Sequence, residues 1–423
     1  MIEKLEEIYL KGQGNLKGKE MKIIEQGVCA AQGFKASGIH AGIRQNNSKL
    51  DLALIVSEVE AEAAAIYTKN QVKAAPIYLT QENISNGKAR AVICNSGNAN
   101  ACTSDGEAIA RETCQILADH LQISPQDIVV ASTGVIGQHL PLKPFIDSIP
   151  HLIDELGDKS HLAAEAIMTT DLKLKEIAVS FEINGVECKI GGIAKGSGMI
   201  HPNMGTMLVF ITTDCAISSE MLQKALATDV EDSFNMISVD GDTSTNDMVC
   251  ILANGLAGNE KIIDQGSEYE IFAQALNKIT VYFSKMIAAD GEGATKLLEC
   301  KVTGAKSKTD ARKIAKSVIS SSLVKAAFFG ADANWGRILS AIGNSEAEVD
   351  LTDIKIAFKS KQGEIIVCEN SMGVDFSEEL AKAILLEDEI TILVTLNQGS
   401  AAAIAWGCDL TYDYVKINGD YRT

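Results

Sequence analysis

Residues 195–214 read KGSGMIHPNMGTMLVFITTD, and the two halves of this segment differ in character. The first half is rich in glycine and contains a proline, which predicts a loop with unusual backbone freedom, because glycine reaches positive φ without steric cost and proline resists regular structure. The second half begins with the apolar run Met207–Ile211, which predicts a short strand buried on both faces. Thr206 therefore stands where a flexible loop meets a buried strand.

Thr206 has two interpretations. A threonine that opens a strand after a glycine-rich turn is usually structural, and the pattern alone favours that interpretation. In the other interpretation, Thr206 attacks the carbonyl of Gly205, and the chain is cut between them. The freed α-amine of Thr206 would then serve as the base for its own hydroxyl, which makes threonine a competent nucleophile without histidine. Gly205 suits this chemistry because it has no Cβ to obstruct the attacking oxygen.

The segment 195–214 resembles the self-cleavage segment of the ornithine acetyltransferase family (glutamate N-acetyltransferases of the ArgJ type). Further segments resemble the family in the same order along the chain: GVCAAQGFKASGIHAGI from Gly27, NSGNANACT from Asn95, STGVIG from Ser132, DGDTSTND from Asp240, DGEGATK from Asp290, GADANWGRI from Gly330 and the terminal NGDYRT. The resemblance covers nearly the whole chain, and it reverses the preference between the two interpretations of Thr206.

The resemblance implies a cut between Gly205 and Thr206. The products would be an α fragment, residues 1–205, and a β fragment, residues 206–423, which stay associated as two copies of each. The sequence departs from the family in having Gly205 and Gly419 where the family more often has alanine. Neither change is expected to disturb the chemistry.

Length and charge limit the classes of function. A chain of 423 residues exceeds what one hydrophobic core usually serves, so we expect two lobes or one large layered unit. The 38 basic and 56 acidic residues give a net charge of −18, which disfavours nucleic acid and anionic membranes as partners. The amino-terminal segment, residues 1 to about 25, is polar and lacks the apolar core of a signal peptide, so we expect a cytoplasmic protein.

Cysteine and histidine do not predict a metal site. The ten cysteines and six histidines are scattered, without paired CxxC or His-x-x-x-His spacing. Most of the cysteines are expected to be small buried hydrophobic residues. His201 precedes Thr206 by five positions in the loop, and the sequence assigns it no role.

The hydrophobic periodicity predicts alternating strands and helices. Predicted strands are Asp51–Val56, Arg90–Cys94, Ile128–Ala131, Glu176–Ile183, Ile354–Phe358, Glu364–Cys368 and Glu389–Thr395. Predicted helices are Gly106–Leu121, His161–Met168, Ser219–Phe234 with Ser218 as its cap, Glu268–Ala289 and Asp310–Ala327. This order predicts an α/β fold with layered sheets covered by helices. The resemblance specifies the self-cleaving DmpA/ArgJ-like type with an amino-terminal threonine nucleophile.

A second candidate segment is Ala131–Gly137, which follows the apolar residues of a predicted strand. A glycine N–H and a threonine hydroxyl at such a position can both point at a ligand, although a glycine turn after a strand is common. The resemblance implies that this segment is the oxyanion hole, with the Thr133 hydroxyl and the Gly134 N–H as donors.

For the remaining candidate residues, substrate binding is implied by the family resemblance alone. Without the resemblance, each has an ordinary interpretation: Thr169 is part of the polar end of a helix, Lys195 is a solvated lysine, and Glu292 is part of a solvated turn. The segment DGEGATK lacks the spacing of a phosphate loop and follows a predicted helix, which excludes nucleotide binding there. The resemblance implies substrate contacts for Thr169, Lys195, Thr206, Glu292, Asn418 and Thr423, with Lys195 suited to a carboxylate and Glu292 to an amine.

The resemblance also implies a reaction. Thr206 would take the acetyl group from N2-acetylornithine, and glutamate would then accept it, giving ornithine and N-acetylglutamate in arginine biosynthesis, without metal or organic cofactor. Whether acetyl-CoA also serves as donor stays open. One alternative is an aminopeptidase or amidohydrolase of the same self-cleaving fold type, in which water resolves the acyl-enzyme. The other is an uncut binding protein with a glycine-rich ligand loop.

Overall fold

The computed structural model describes residues 21–44, 49–201 and 207–419. Gly205, Thr206 and Thr423 lie outside the described residues, as does most of the polar amino-terminal segment. What the sequence predicts for these positions therefore stays a prediction.

The strands in the described residues form two sheets. They are β1 (Lys22–Ile24), β2 (Phe34–Ile39), β3 (Leu52–Tyr67), β4 (Lys88–Asn98), β5 (Ile128–Val135), β6 (Lys175–Ile183), β7 (Val186–Lys195), β8 (Leu208–Thr213), β9 (Ile237–Ser238), β10 (Met248–Ala253), β11 (Leu297–Ala305), β12 (Lys355–Ser360), β13 (Gly363–Glu369), β14 (Met372–Gly373), β15 (Glu389–Thr395) and β16 (Ala401–Cys408). The first sheet has the order β1-β6-β7-β8-β10-β3-β4-β5, with β2 also paired to β3. The second has the order β14-β13-β12-β15-β11-β16-β9.

The apolar run after Thr206 forms a central strand of the first sheet, as the sequence predicts. All six residues of β8 are buried. The strand runs antiparallel to β7 and parallel to β10, with Leu208 opposite both Lys195 and Met248. An unbroken apolar run suits this place because a central strand covered on both faces has no solvated side.

Helices cover both sheets. They are α1 (Ala75–Asn83), α2 (Gly106–Leu121), α3 (Lys143–Asp154), α4 (Ser160–Ile167), α5 (Ser219–Asp229), α6 (Ser267–Ala289), α7 (Lys308–Ser320), α8 (Ser322–Phe329), α9 (Trp335–Gly343), α10 (Glu378–Leu385) and α11 (Tyr412–Asn418). The long helix α6 packs against β6 and β7 of the first sheet and against β11 and β16 of the second. The layered α/β architecture predicted from the sequence is confirmed.

The sequence of α6 explains its position. Phe272, Leu276, Ile279, Phe283 and Ile287 are fully buried and recur at helical spacing. They belong to one continuous apolar cluster that also contains residues of β8 and β11. One shared core thus joins the two sheets, so the chain is the large layered unit among the two expected arrangements.

Two predicted helices are too long. The helix predicted over Ser219–Phe234 ends at Asp229, although Ser218 caps it as predicted and accepts a hydrogen bond from the Met221 N–H at 3.3 Å. The helix predicted over Asp310–Ala327 divides into α7 and α8 at Ser321. The Ser321 side chain accepts from the Val324 N–H and starts a new helix there, because a capping hydroxyl competes with continued helix.

The other predicted elements are present with ends shifted by up to four residues, except that the strand predicted over Asp51–Val56 continues to Tyr67 as β3. The periodicity missed helices α1, α3, α9, α10 and α11. Cys102 is exposed and the other cysteines are buried, as expected for small hydrophobic residues. Among the described helices, none has both the length and the apolar character needed to cross a membrane.

Candidate active site

Lys195 is the last residue of β7 and not the first residue of a loop, as its glycine neighbours suggested. Its cross-strand partner is Leu208, the first residue of β8. Strands β7 and β8 therefore hold the two ends of the connecting segment side by side at one edge of the first sheet. Lys195 is 8% exposed, so the lysine predicted to meet a carboxylate is a buried cation and not a solvated one.

Thr133 meets Lys195 at this edge. The Lys195 Nζ donates to the Thr133 Oγ1 at 3.3 Å, and both residues are buried. Because the threonine oxygen accepts from the ammonium, the hydroxyl hydrogen is left to donate elsewhere. Gly134, the next residue of β5, has a φ of 136°, and a Cβ there would lie 2.3 Å from the Gly97 carbonyl carbon. Position 134 therefore requires glycine.

A buried ion cluster lies beside Lys195. The Lys175 Nζ pairs with the Asp171 carboxylate at 2.8 Å and with the Asp290 carboxylate at 2.6 Å, and all three side chains are shielded from solvent. Burial alone would raise the pKa of Asp171, but the charges of Lys175 and Lys195 outweigh it and hold that pKa well below its usual range. Asp171 therefore stays an anion, which lets it accept backbone hydrogen bonds.

The two carboxylates of this cluster fix the segments that carry substrate candidates. Asp171 accepts from the N–H groups of Thr169 and Gly196, at 3.0 and 2.7 Å. The Asp290 carboxylate accepts from the backbone of residues 172 and 173, and its carbonyl accepts from the Ser197 hydroxyl. The cluster thus joins the Thr169 segment, the segment after β7 and the segment that leads to Glu292.

Glu292 lies on the far side of the glycine-rich segment and is 7% exposed. Its N–H donates to the Ser197 carbonyl at 3.1 Å, and a Cβ on Gly198 would lie 2.3 Å from its carboxyl carbon. The Asn418 Nδ2 donates to the Glu292 Oε2 at 2.7 Å. Two substrate candidates that are far apart in sequence, Glu292 and Asn418, are therefore in direct contact.

Helix α11 brings Asn418 to Glu292. The Thr411 side chain caps this helix, accepting from the Tyr414 N–H, and its hydroxyl donates to the Gly293 carbonyl at 2.7 Å. The short helix is therefore anchored to the same turn that carries Glu292. This anchor places Asn418 at the site.

A small cavity opens between Thr133, Lys195 and the segment that precedes β10. Its lining also includes Met207, Ser244 and Asp247. Asn246, a further lining residue, donates from its Nδ2 to the Ala99 and Ser132 carbonyls at 2.6 and 2.8 Å. The segment DGDTSTND resembles the family, but the sequence assigned none of its residues a role. The structure places its last two residues, Asn246 and Asp247, in the same cavity lining as Thr133.

His201 lies at the other end of the segment that follows β7. Its Nδ1 is 3.0 Å from the Ser238 Oγ, and burial together with the charge of Lys316 lowers the pKa of His201 to about 4. A histidine in this state is neutral at physiological pH.

The structure brings Thr133 beside Lys195 and Glu292 beside Asn418, and it connects Thr169 to both pairs through the Asp171, Lys175 and Asp290 cluster. It does not describe Gly205, Thr206 or Thr423. Sequence reasoning missed the ion cluster and Asp247. The family segments that contain Asp290 and Asp247 offered a signal, whereas Lys175 offered none, because nothing local distinguishes it from a surface lysine.

Residues 35–423 match the ArgJ family. The chain is 52% identical over 392 residues to the arginine biosynthesis bifunctional protein ArgJ 1 of Clostridium acetobutylicum. The matched region covers 92% of this chain and 96% of the relative. A crystal structure of the arginine biosynthesis bifunctional protein ArgJ from Bacillus halodurans is 48% identical, covering 51% of this chain and 99% of the solved chain, with a TM-score of 0.49. The ornithine acetyltransferase of Mycobacterium tuberculosis in complex with ornithine is 37% identical, covering 44% of this chain and 100% of the solved chain, with a TM-score of 0.41. The chain is a member of the ArgJ family.

Proposed function

We propose that this protein transfers an acetyl group from N2-acetylornithine to glutamate in arginine biosynthesis, through an acetyl ester on Thr206. One observation carries the proposal: the Thr133 hydroxyl and the Lys195 ammonium share a cavity at the sheet edge where β7 and β8 hold the ends of the segment that contains Thr206. Membership of the ArgJ family supports the same reaction.

The first half-reaction forms the ester. The Thr206 hydroxyl attacks the acetyl carbonyl, and its proton passes to the α-amine of Thr206. The Thr133 hydroxyl and the Gly134 N–H stabilise the negative charge that develops on the carbonyl oxygen. The C–N bond then breaks, the α-amine returns its proton to the leaving nitrogen, and ornithine departs. The amine of glutamate takes the acetyl group by the reverse steps.

The substrate roles follow from charge. Lys195 meets a substrate carboxylate, and Glu292, oriented by Asn418, meets the side-chain amine of ornithine. Thr169 and Thr423 complete the binding site. These assignments need no metal or organic cofactor, and we propose that none takes part.

We propose that the chain cuts itself between Gly205 and Thr206 and works as two α and two β fragments in the cytoplasm. The first sheet supports lasting association, because β8 and β10 from the second fragment pair with β7 and β3 from the first. The buried ion pair between Lys175 and Asp290 also joins the two fragments. Separating the two fragments would expose central strands of the first sheet and leave buried charges unpaired.

Steady-state kinetics test the reaction. Varying N2-acetylornithine at several fixed glutamate concentrations should give parallel double-reciprocal lines, since the acetyl group resides on the enzyme between the two half-reactions. Release of free acetate at the same rate with and without glutamate would contradict the proposal and favour the hydrolase alternative. The name of the Clostridium relative includes the word bifunctional, which motivates a parallel assay with acetyl-CoA and glutamate.

A further inference from the structure

Asp247 is a buried carboxyl group at the cavity that the proposed mechanism leaves unused. It is 3% exposed and lines the cavity together with Thr133 and Lys195. Its backbone is fixed on both sides: the Asp247 carbonyl accepts from the Thr68 N–H, and the next residue, Met248, donates to the Met207 carbonyl. The backbone at Asp247 is therefore held in place immediately before β10.

The two last residues of the DGDTSTND segment differ in how their side chains are used. Asn246 donates to two carbonyls, and its Oδ1 accepts from the Thr245 hydroxyl at 2.6 Å. The Asp247 Oδ2, by contrast, has no hydrogen-bond partner within the described ranges of the chain. A buried polar atom without a partner costs free energy, so such an atom beside a reaction site is a candidate for a role with substrate.

The surroundings of Asp247 favour proton exchange. Burial raises the pKa of the Asp247 carboxyl well above its usual range, and the hydrogen bonds of Ser244 and the charge of Lys195 oppose this rise only in part. The carboxyl is therefore held toward its protonated form. The nearby ammonium of Lys195 in turn stabilises the carboxylate when the proton leaves, which makes both states accessible.

The proposed reaction poses a proton problem that the Thr206 α-amine does not solve. In the first half-reaction that amine takes the proton of the threonine hydroxyl and gives it to the leaving nitrogen. In the second it takes a proton from the attacking amine and gives it to the threonine oxygen, so it ends the cycle with the protons it had at the start. Ornithine, however, leaves as a neutral amine that takes up a further proton in water, and the α-amine of free glutamate carries an extra proton at neutral pH. A protonated amine has no lone pair and cannot attack the ester.

Building on the proposed function, we propose that Asp247 is a catalytic acid and base that stores this further proton between the two half-reactions. The Asp247 carboxylic acid gives its proton to the amine of departing ornithine, which leaves as an ammonium ion. The resulting carboxylate accepts a proton from the ammonium of incoming glutamate, which becomes a neutral nucleophile. One O–H bond breaks and one forms at Asp247 in each cycle, and the enzyme returns to its starting state.

The test replaces Asp247 and varies the acceptor. Asp247→Asn keeps the size of the side chain but cannot exchange this proton. Acetyl-enzyme formed from N2-acetylornithine is divided between glutamate, which arrives protonated, and hydroxylamine, which is mostly unprotonated at neutral pH. We expect the rate of transfer to glutamate to fall by about a hundred-fold or more, as is typical for loss of acid–base catalysis, while transfer to hydroxylamine stays close to wild type. The ratio of the two rates within one sample does not depend on how much enzyme is cut.

Asp229→Asn is the matched control. Asp229 is a buried carboxyl whose pKa burial also raises, but it accepts from Ser233 and Asn277 and lies outside the cavity lining. Its acceptor ratio should equal that of wild type. An unchanged ratio in Asp247→Asn, or a variant that no longer cuts itself, would overturn the role of Asp247. If wild-type protein forms no acetyl-enzyme at all, the proposed function fails and not this inference alone.

Discussion

The ion cluster around Lys175 and the cavity around Lys195 lie side by side but use their charges in opposite ways. In the cluster, Lys175 has two carboxylate partners, and both carboxylates accept additional backbone hydrogen bonds. In the cavity, the Lys195 ammonium donates to the Thr133 hydroxyl, and the Asp247 Oδ2 has no hydrogen-bond partner within the described chain. The ion cluster around Lys175, whose polar groups are paired, is called the satisfied region, and it holds chain segments in place. The cavity around Lys195 is called the unsatisfied region, and its unpartnered polar atom is free to bind a substrate.

The largest expected effect is on the satisfied region. Lys175→Met leaves two buried carboxylates without their cation, which should destabilise the protein by about 3 to 5 kcal/mol. Denaturant unfolding measures the loss. Lys88→Met is the control, since Lys88 also pairs with two carboxylates but at the surface, where such pairs contribute about 1 kcal/mol or less. Equal losses in the two variants would show that the cluster is not a special anchor.

The next effect is on the unsatisfied region and concerns rate, not stability. Thr133→Ala removes one donor to the carbonyl oxygen and should reduce turnover of cut enzyme by about a hundred- to a thousand-fold, with little change in unfolding. Thr303→Ala, in the second sheet, should keep normal turnover. Near-normal turnover of Thr133→Ala would contradict the assignment of Thr133 as a hydrogen-bond donor in the oxyanion hole.

A smaller effect is expected where the two regions adjoin, at Glu292. Glu292→Gln removes the charge that meets the ornithine amine, so the KM for N2-acetylornithine should rise by about tenfold, as for loss of one charged hydrogen bond. Self-cleavage should continue, because Glu292 has no part in acyl transfer. Glu369→Gln, which breaks an exposed pair with Lys355, is the control. An unchanged KM for N2-acetylornithine in Glu292→Gln would contradict the proposed contact between Glu292 and the ornithine amine.

The smallest effect concerns pH. The folded-state pKa of His201 is about 4, below its ordinary value near 6.5, so the unfolded chain binds more protons between these values. The stability that neutral His201 contributes is therefore present above pH 6.5 and declines as pH falls toward 4. His201→Gln should flatten the pH dependence of unfolding in this window. A variant with the same slope as wild type would show that other groups cause it.

The sequence predicted the local part of the fold. The apolar run after Thr206 and the periodicity of residues 268–289 led to β8 and α6, because burial on two faces or along one helix face leaves a direct pattern. The division of residues 310–327 at Ser321 was not predictable from the same pattern, since the apolar spacing continues across it. There the capping hydroxyl outweighs the periodicity.

The candidate site was predictable where the family resemblance reached it and unpredictable elsewhere. The contact between Glu292 and Asn418 joins residues 126 positions apart, and the pair between Lys175 and Asp290 joins residues 115 positions apart. No local pattern encodes such contacts. Asp247 was missed for the same reason: its burial, and the absence of a partner for its Oδ2 among the described residues, come from segments that meet only in the folded chain.

The most direct test of the acetyl-transfer account is the mass of the fragment that begins at Thr206. After brief incubation with N2-acetylornithine and no glutamate, intact-mass and peptide-level spectrometry should find one added acetyl group on that fragment, located at Thr206, and later addition of glutamate should remove it. Thr206→Ala should remain one uncut, unlabelled chain. An uncut wild-type chain, a fragment that begins at another residue, or an acetyl group at another position would contradict the account.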